Sequence, residues 1–174
     1  MKRVSSLLGA LAIATTASAT GAAPTLVRAH QTIATAPVDA AAMTRAALRY
    51  ASFWNTGDEA LARAALAPGF VDRTPPPGRA PGVEGALAAS RDFRAAVPDL
   101  GCTVEQLIVT GDRVVSHLHF RGHFTGRFGN RQGHGQPVDF IATDIYRIVD
   151  GLIADNWHLE DNLTLLKQLG VVAP

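Results

Sequence analysis

The chain has 174 residues, 47% of them apolar and 18% charged, which fits one folded domain with short appendages and excludes a disordered polyelectrolyte. Formal net charge is +1, and without Lys2 and Arg3 there are 14 basic against 15 acidic residues, so no electrostatic footprint exists for nucleic acid or anionic lipid. Cys102 is the single cysteine, which excludes an internal disulfide framework and a thiolate metal cluster.

Lys2 and Arg3 precede a small apolar run from Val4 to Thr16, and Ala17-Ser18-Ala19 then satisfies the A-x-A cleavage rule. The pattern predicts a signal peptide over residues 1–19, cut after Ala19, and a periplasmic or secreted mature chain. The run is short for a bilayer, so no membrane association is expected once it is removed. Residues 20–37, with Pro24, Pro37 and scattered Ala and Thr, read as a flexible leader, and residues 38–174 as the domain.

Alanine is frequent up to Ala96 and absent from Val97 to Ile141, which divides the domain into helices first and sheet afterwards, an α+β order. Asp39 is placed to cap a first helix whose buried stripe is Met43, Ala47, Tyr50 and Phe53/Trp54. Asn55-Thr56-Gly57 ends it, and Asp58 starts a short second helix running to Pro68. Val71-Asp72-Arg73 is an extended piece stopped by Thr74-Pro75-Pro76-Pro77-Gly78, whose consecutive prolines force a stiff loop. Val83 to Val97 is a third helix, closed by Pro98.

After Leu100 the apolar period changes to two. Cys102–Val109 and Arg113–Phe124 around Gly111-Asp112 read as one hairpin, and Val138–Ile148 and Leu152–Leu159 around Asp150-Gly151 as another. Gly126 to Gln136, with four glycines, reads as a flexible connection. Asn162 is placed to cap a closing helix, Leu163 to Leu169, stopped by Gly170. Three helices laid on a curved antiparallel sheet would enclose one apolar pocket.

The strings FWNTGD at 53, VDRTPPPG at 71, GDRVV at 111 and DIYRIVDGLIADNWHLEDNLTLLKQLG from 144 resemble the SnoaL-like polyketide cyclases, over roughly residues 40 to 172. The resemblance implies the cone-shaped α+β fold of the nuclear-transport-factor-like superfamily, a deep pocket for a small apolar molecule, catalysis without a cofactor, and a homodimer. The family's cyclases carry Glu-His-Trp-Asp on the last strand, with the Asp as general base. The aligned residues here are Asp155, Asn156, Trp157 and His158, so a histidine stands at the place of the acid.

A neutral His158 in an apolar pocket is a competent proton acceptor, and Asn156, two residues earlier on the same strand face, is placed to hold a developing oxyanion. The other reading makes His158 a hydrogen-bonded wall residue of a non-catalytic binding module. Asp144 is a second candidate acid, alone in an apolar strand, and Arg73, Arg147 or a histidine are its candidate partners. An ideal two-residue turn pairs Asp144 with Trp157, and so puts Asp144 and His158 on opposite faces unless a bulge intervenes.

Trp54, His117, His119, Tyr146 and Trp157 are the remaining candidates for the pocket wall. His117-x-His119 also has the form of a strand metal pair, which makes a metal enzyme the third reading. The glutamate that would complete a cupin-type motif is missing, so no metal is expected. A signal peptide argues against tailoring of a cytoplasmic product and favours an imported or envelope compound.

Overall fold

The structure is a computed structural model, which describes residues 24–35 and 39–173. The predicted signal peptide and the first residues of the predicted leader lie outside the described residues. Among those described, no helix is long and apolar enough to cross a membrane.

Three helices precede the four long strands of the main sheet: α1 (Ala40–Thr56), α2 (Glu59–Ala65) and α3 (Gly82–Ala96). α1 stops where Gly57 takes a left-handed φ of 77° and returns its N–H to the carbonyl of Phe53. Asp39 makes no side-chain capping bond to α1, contrary to the sequence expectation, whereas Asp58 does cap α2 through the N–H of Ala60. α2 ends at Ala65, short of Pro68. The chain then extends as β2 (Leu66–Asp72), whose Leu66 and Phe70 are buried.

The six-stranded sheet runs β1 (Ala29–Ala34), β3 (Gly101–Thr110), β4 (Arg113–Phe124), β7 (Gln136–Val149), β8 (Leu152–Glu160), β2. The three central pairings are the antiparallel ones expected, but both edge strands, β1 on β3 and β2 on β8, pair parallel. The stretch read as a flexible leader thus supplies an edge strand. Nearly all of β1 is exposed, so it carries no apolar period to be read, and it is held by backbone pairing and by Val27 N–H donating to Ser52 Oγ at 2.8 Å. The glycine-rich connection contains a small hairpin, β5 (Arg127–Phe128) with β6 (Arg131–Gln132), and Phe128 packs on the core.

One face of the sheet is the core. Along β4 and β7 every second residue is buried, from Val114 to Phe120 and from Val138 to Ile148, and α1 and α3 close over them. α4 (Asn162–Gln168) follows β8 directly. Its cap is Asp161, which accepts from Thr164 N–H at 3.1 Å, and not Asn162.

The turn between β7 and β8 has Asp150 and Gly151 at φ 50° and 74°, the pair of positive values that a tight hairpin turn requires. Beyond it the register shifts. Ile148 pairs with Ile153 but Arg147 pairs with Asp155, so Ala154 is an extra residue on β8. From there on Tyr146 faces Asn156 and Asp144 faces His158. The bulge brings onto one face two residues that an ideal hairpin would separate.

Candidate active site

Asp144 lies in the inward row of β7 and is 1% exposed. It is held by three donors. Asn156 Nδ2 and His158 Nδ1 reach its Oδ1 at 2.9 and 2.8 Å, and the Tyr146 hydroxyl reaches its Oδ2 at 2.9 Å. A carboxylate in such surroundings only accepts, which fixes the Asn156 amide with its nitrogen toward Asp144 and puts the Nδ1 proton on His158. Asp144 and His158 are therefore partners, not the rivals expected from an unbulged hairpin. The arginines considered for Asp144 go elsewhere: Arg73 and Arg147 clamp Asp155 from the outer side of the sheet, with Nε to carboxylate distances of 2.6 Å.

His158 turns its other nitrogen, Nε2, toward Glu160 Oε2 at 3.4 Å. Burial works against a charged ring, but the hydrogen bonds and charges of Asp144 and Glu160 outweigh it and raise the His158 pKa to about 10. At neutral pH the ring is an imidazolium. The sequence reading takes the ring as a neutral base; in this arrangement the ring is charged and its Nδ1–H is given to Asp144. Asn156 gives one N–H of its amide to Asp144, while its Oδ1 is buried without a partner.

Around this cluster the wall is aromatic. Trp54 from α1 stands edge-on to Phe120, Phe120 stacks on Phe140 at 5.1 Å between centroids, and Phe93 from α3 meets Phe140 edge-on. Tyr50 completes the wall, and burial together with the Asp144 charge raises its pKa, so its hydroxyl stays protonated. The enclosed cavity is about 60 Å³, room for a few water-sized groups. It adjoins a groove of about 590 Å³ between the proline loop, α3, Phe128 and α4. Trp54, Arg79, Phe93 and Glu160 line both spaces, and Arg79 is paired with Asp72 at 3.5 Å.

Of the other candidates from the sequence, Trp54 lines the cavity. Tyr146 is fully buried and stands behind Asp144 as its donor, outside the cavity wall. Trp157 is on the opposite face of β8, where Arg113 lies 5.4 Å over its ring, and its neighbour Leu159 is 75% exposed. His117 and His119 also face outward. His117 pairs with Thr143 Oγ1 at 3.0 Å and His119 with Asp139 at 2.5 Å, so the two rings serve different partners. Inward positions on β4 belong to Val114, Ser116, Leu118 and Phe120. Among the described residues no group of three His, Cys, Asp or Glu side chains is placed to hold a metal ion.

Glu160, which lines the cavity and meets His158, is not among the candidates the sequence supplies. The strand period puts it on the face of Asn156 and His158, and that signal was available. The aromatic contributions of Phe120 and Phe140 come from two strands far apart in sequence and had no local signature.

The profile of the SnoaL-like polyketide cyclases matches residues 44–169. The chain belongs to the SnoaL-like polyketide cyclase family. Among solved structures, a candidate polyketide cyclase of Bacillus cereus is 37% identical, with a TM-score of 0.76 over 85% of this chain and 95% of that one. TsrD of Streptomyces laurentii is 31% identical, with a TM-score of 0.70 over 78% and 100% of the two chains. IdmH of Streptomyces antibioticus, a candidate polyketide cyclase, is 29% identical, with a TM-score of 0.66 over 74% and 98%. Among curated proteins no match is found. As a SnoaL-like chain the molecule has the helix-and-sheet cone of its relatives, and membership supports a function of cyclase or isomerase type.

Proposed function

We propose that the protein is an exported catalyst of cyclase or isomerase type that acts by acid–base chemistry on a small carbonyl compound, with no cofactor taking part. The reading rests above all on one observation: an imidazolium, His158, anchored on the buried carboxylate of Asp144 and opening onto an aromatic cavity. A carbonyl oxygen in the cavity accepts the His158 Nε2–H, which draws charge onto that oxygen and acidifies the neighbouring C–H. Accepting that bond frees the Glu160 carboxylate, which takes the proton from the carbon next to the carbonyl. The enolate so formed, still held by the His158 Nε2–H, attacks a second carbonyl carbon within the same molecule, whose oxygen takes the proton from Glu160, or it takes that proton back at another carbon of its skeleton. The reacting end fits the small cavity, and the rest of the molecule lies along the adjoining groove, whose apolar wall includes Ala88, Phe128 and Leu165.

The test is deuterium exchange at the methyl group of acetophenone in heavy water, followed by proton NMR. Exchange well above the buffer rate supports proton abstraction. Binding without exchange gives the protein to the second reading, a binding module for carbonyl ligands, which the loss of the family's aspartate at position 158 favours.

Export rests on the first 19 residues. The protein recovered from the periplasm or medium is expected to have an intact mass that starts at Thr20. A soluble cytoplasmic product starting at Met1 contradicts export and leaves the chemistry untouched.

A further inference from the structure

We propose that Asn156 selects ligands carrying a hydrogen-bond donor beside the carbonyl group, so that the cavity takes hydroxy-ketones or their enols in preference to simple ketones. This rests on the carbonyl reading above and adds a second recognition element to it. Asn156 is 5% exposed and forms part of the cavity wall. One N–H of its Nδ2 goes to Asp144, and the carboxylate's inability to donate forbids the flipped amide. The remaining atom, Oδ1, is buried and has no partner.

Three other described side chains also bury a polar atom without a partner: Ser90, Arg94 and Ser116. None of them is in the cavity wall; Asn156 is. A buried acceptor left unmatched costs free energy that a ligand's O–H or N–H recovers, so the site rewards a donor at this point and penalises its absence. The position of that donor follows from the strand. Residues 156 and 158 share one face, and their side chains meet on the same oxygen of Asp144 at 2.9 and 2.8 Å. Both residues line the one small cavity, so a donor borne next to a carbonyl held by His158 shares that space with Asn156.

The probes are α-hydroxyacetophenone, its methyl ether α-methoxyacetophenone, and acetophenone. All three carry the same ring and carbonyl, and only the first has a donor. Dissociation constants are read from NMR titrations of the full protein. The hydroxy-ketone is expected to bind about tenfold more tightly than the methoxy-ketone, as one additional matched hydrogen bond allows. In Asn156→Leu that ratio is expected to fall to about one. If Asn156→Leu does not fold, Asn156→Ala, which also removes the amide oxygen, makes the same comparison, and the wild-type ratio already decides the matter. Equal affinities for the two substituted ketones, both weakened by His158→Gln, overturn the role of Asn156 and leave the carbonyl reading standing. No binding of any of the three, or binding indifferent to His158→Gln, overturns both.

Discussion

Replacing His158 with glutamine is expected to slow the exchange of acetophenone methyl protons by about 10²–10⁴-fold, the range for loss of a positioned proton donor or acceptor. The fold is expected to survive, because the His158 side chain is 29% exposed at the cavity edge and a glutamine amide still donates to Asp144. The substitution removes the imidazolium charge, so a carbonyl oxygen in the cavity meets only a neutral donor. Circular dichroism and the exchange rate together check the expectation. An exchange rate unchanged in a folded His158→Gln protein contradicts the proton-donor role, and Glu160 would then act without it.

The second large effect is on stability. Asp144→Ala removes both acceptor oxygens and strands three donors, the Tyr146 hydroxyl, the Asn156 amide and the His158 ring. Breaking a buried ion pair from one side costs about 3–5 kcal/mol, which for a domain of this size lowers Tm by about 10 °C. Asp144→Asn keeps the shape and one acceptor oxygen, and is expected to fall between the two. Thermal unfolding followed by circular dichroism measures both. A Tm within about 2 °C of wild type for Asp144→Ala would show that the three donors find water in place of the carboxylate.

The order of helices and strands could be read in the sequence because it follows from period, while the cone and its pocket came from the resemblance to the SnoaL-like cyclases. Spacing of three and four put Met43, Ala47 and Tyr50 on a buried helix stripe, and spacing of two marked the strands of both long hairpins. Register was another matter. Whether Asp144 meets His158 or Trp157 depends on the one extra residue at Ala154, and nothing in Leu152-Ile153-Ala154-Asp155 marks a bulge. The parallel edge strands were hidden for a related reason. β1 is exposed almost throughout, and the partner of β2 is 80 or more residues away in sequence.

The site was legible as residue types and illegible as roles. His158, Asn156 and Asp144 were all named from the strand pattern, yet the charge state of the ring and the free end of the amide are set by which atoms touch. A histidine near one carboxylate could have been read either way; two carboxylates, one buried, decide for the cation. His117 and His119 misled because alternation says which residues share a face and not which face is inside. There the inward row is taken by Leu118 and Phe120, whose burial outweighs any gain from turning imidazoles toward the core.

The central claim, that His158 is a charged donor held by Asp144, has a direct measurement: nitrogen-15 NMR of the imidazole as pH is raised, with His158→Gln used to assign the signal. His158 is expected to stay protonated on both nitrogens through neutral pH and to lose its proton only near pH 10. Exchange activity that depends on the imidazolium should fall over the same upper range. A ring that titrates near the ordinary histidine value of about 6.5, with a neutral Nε2 facing the cavity at pH 7.5, would contradict the account and return His158 to the part of a neutral base.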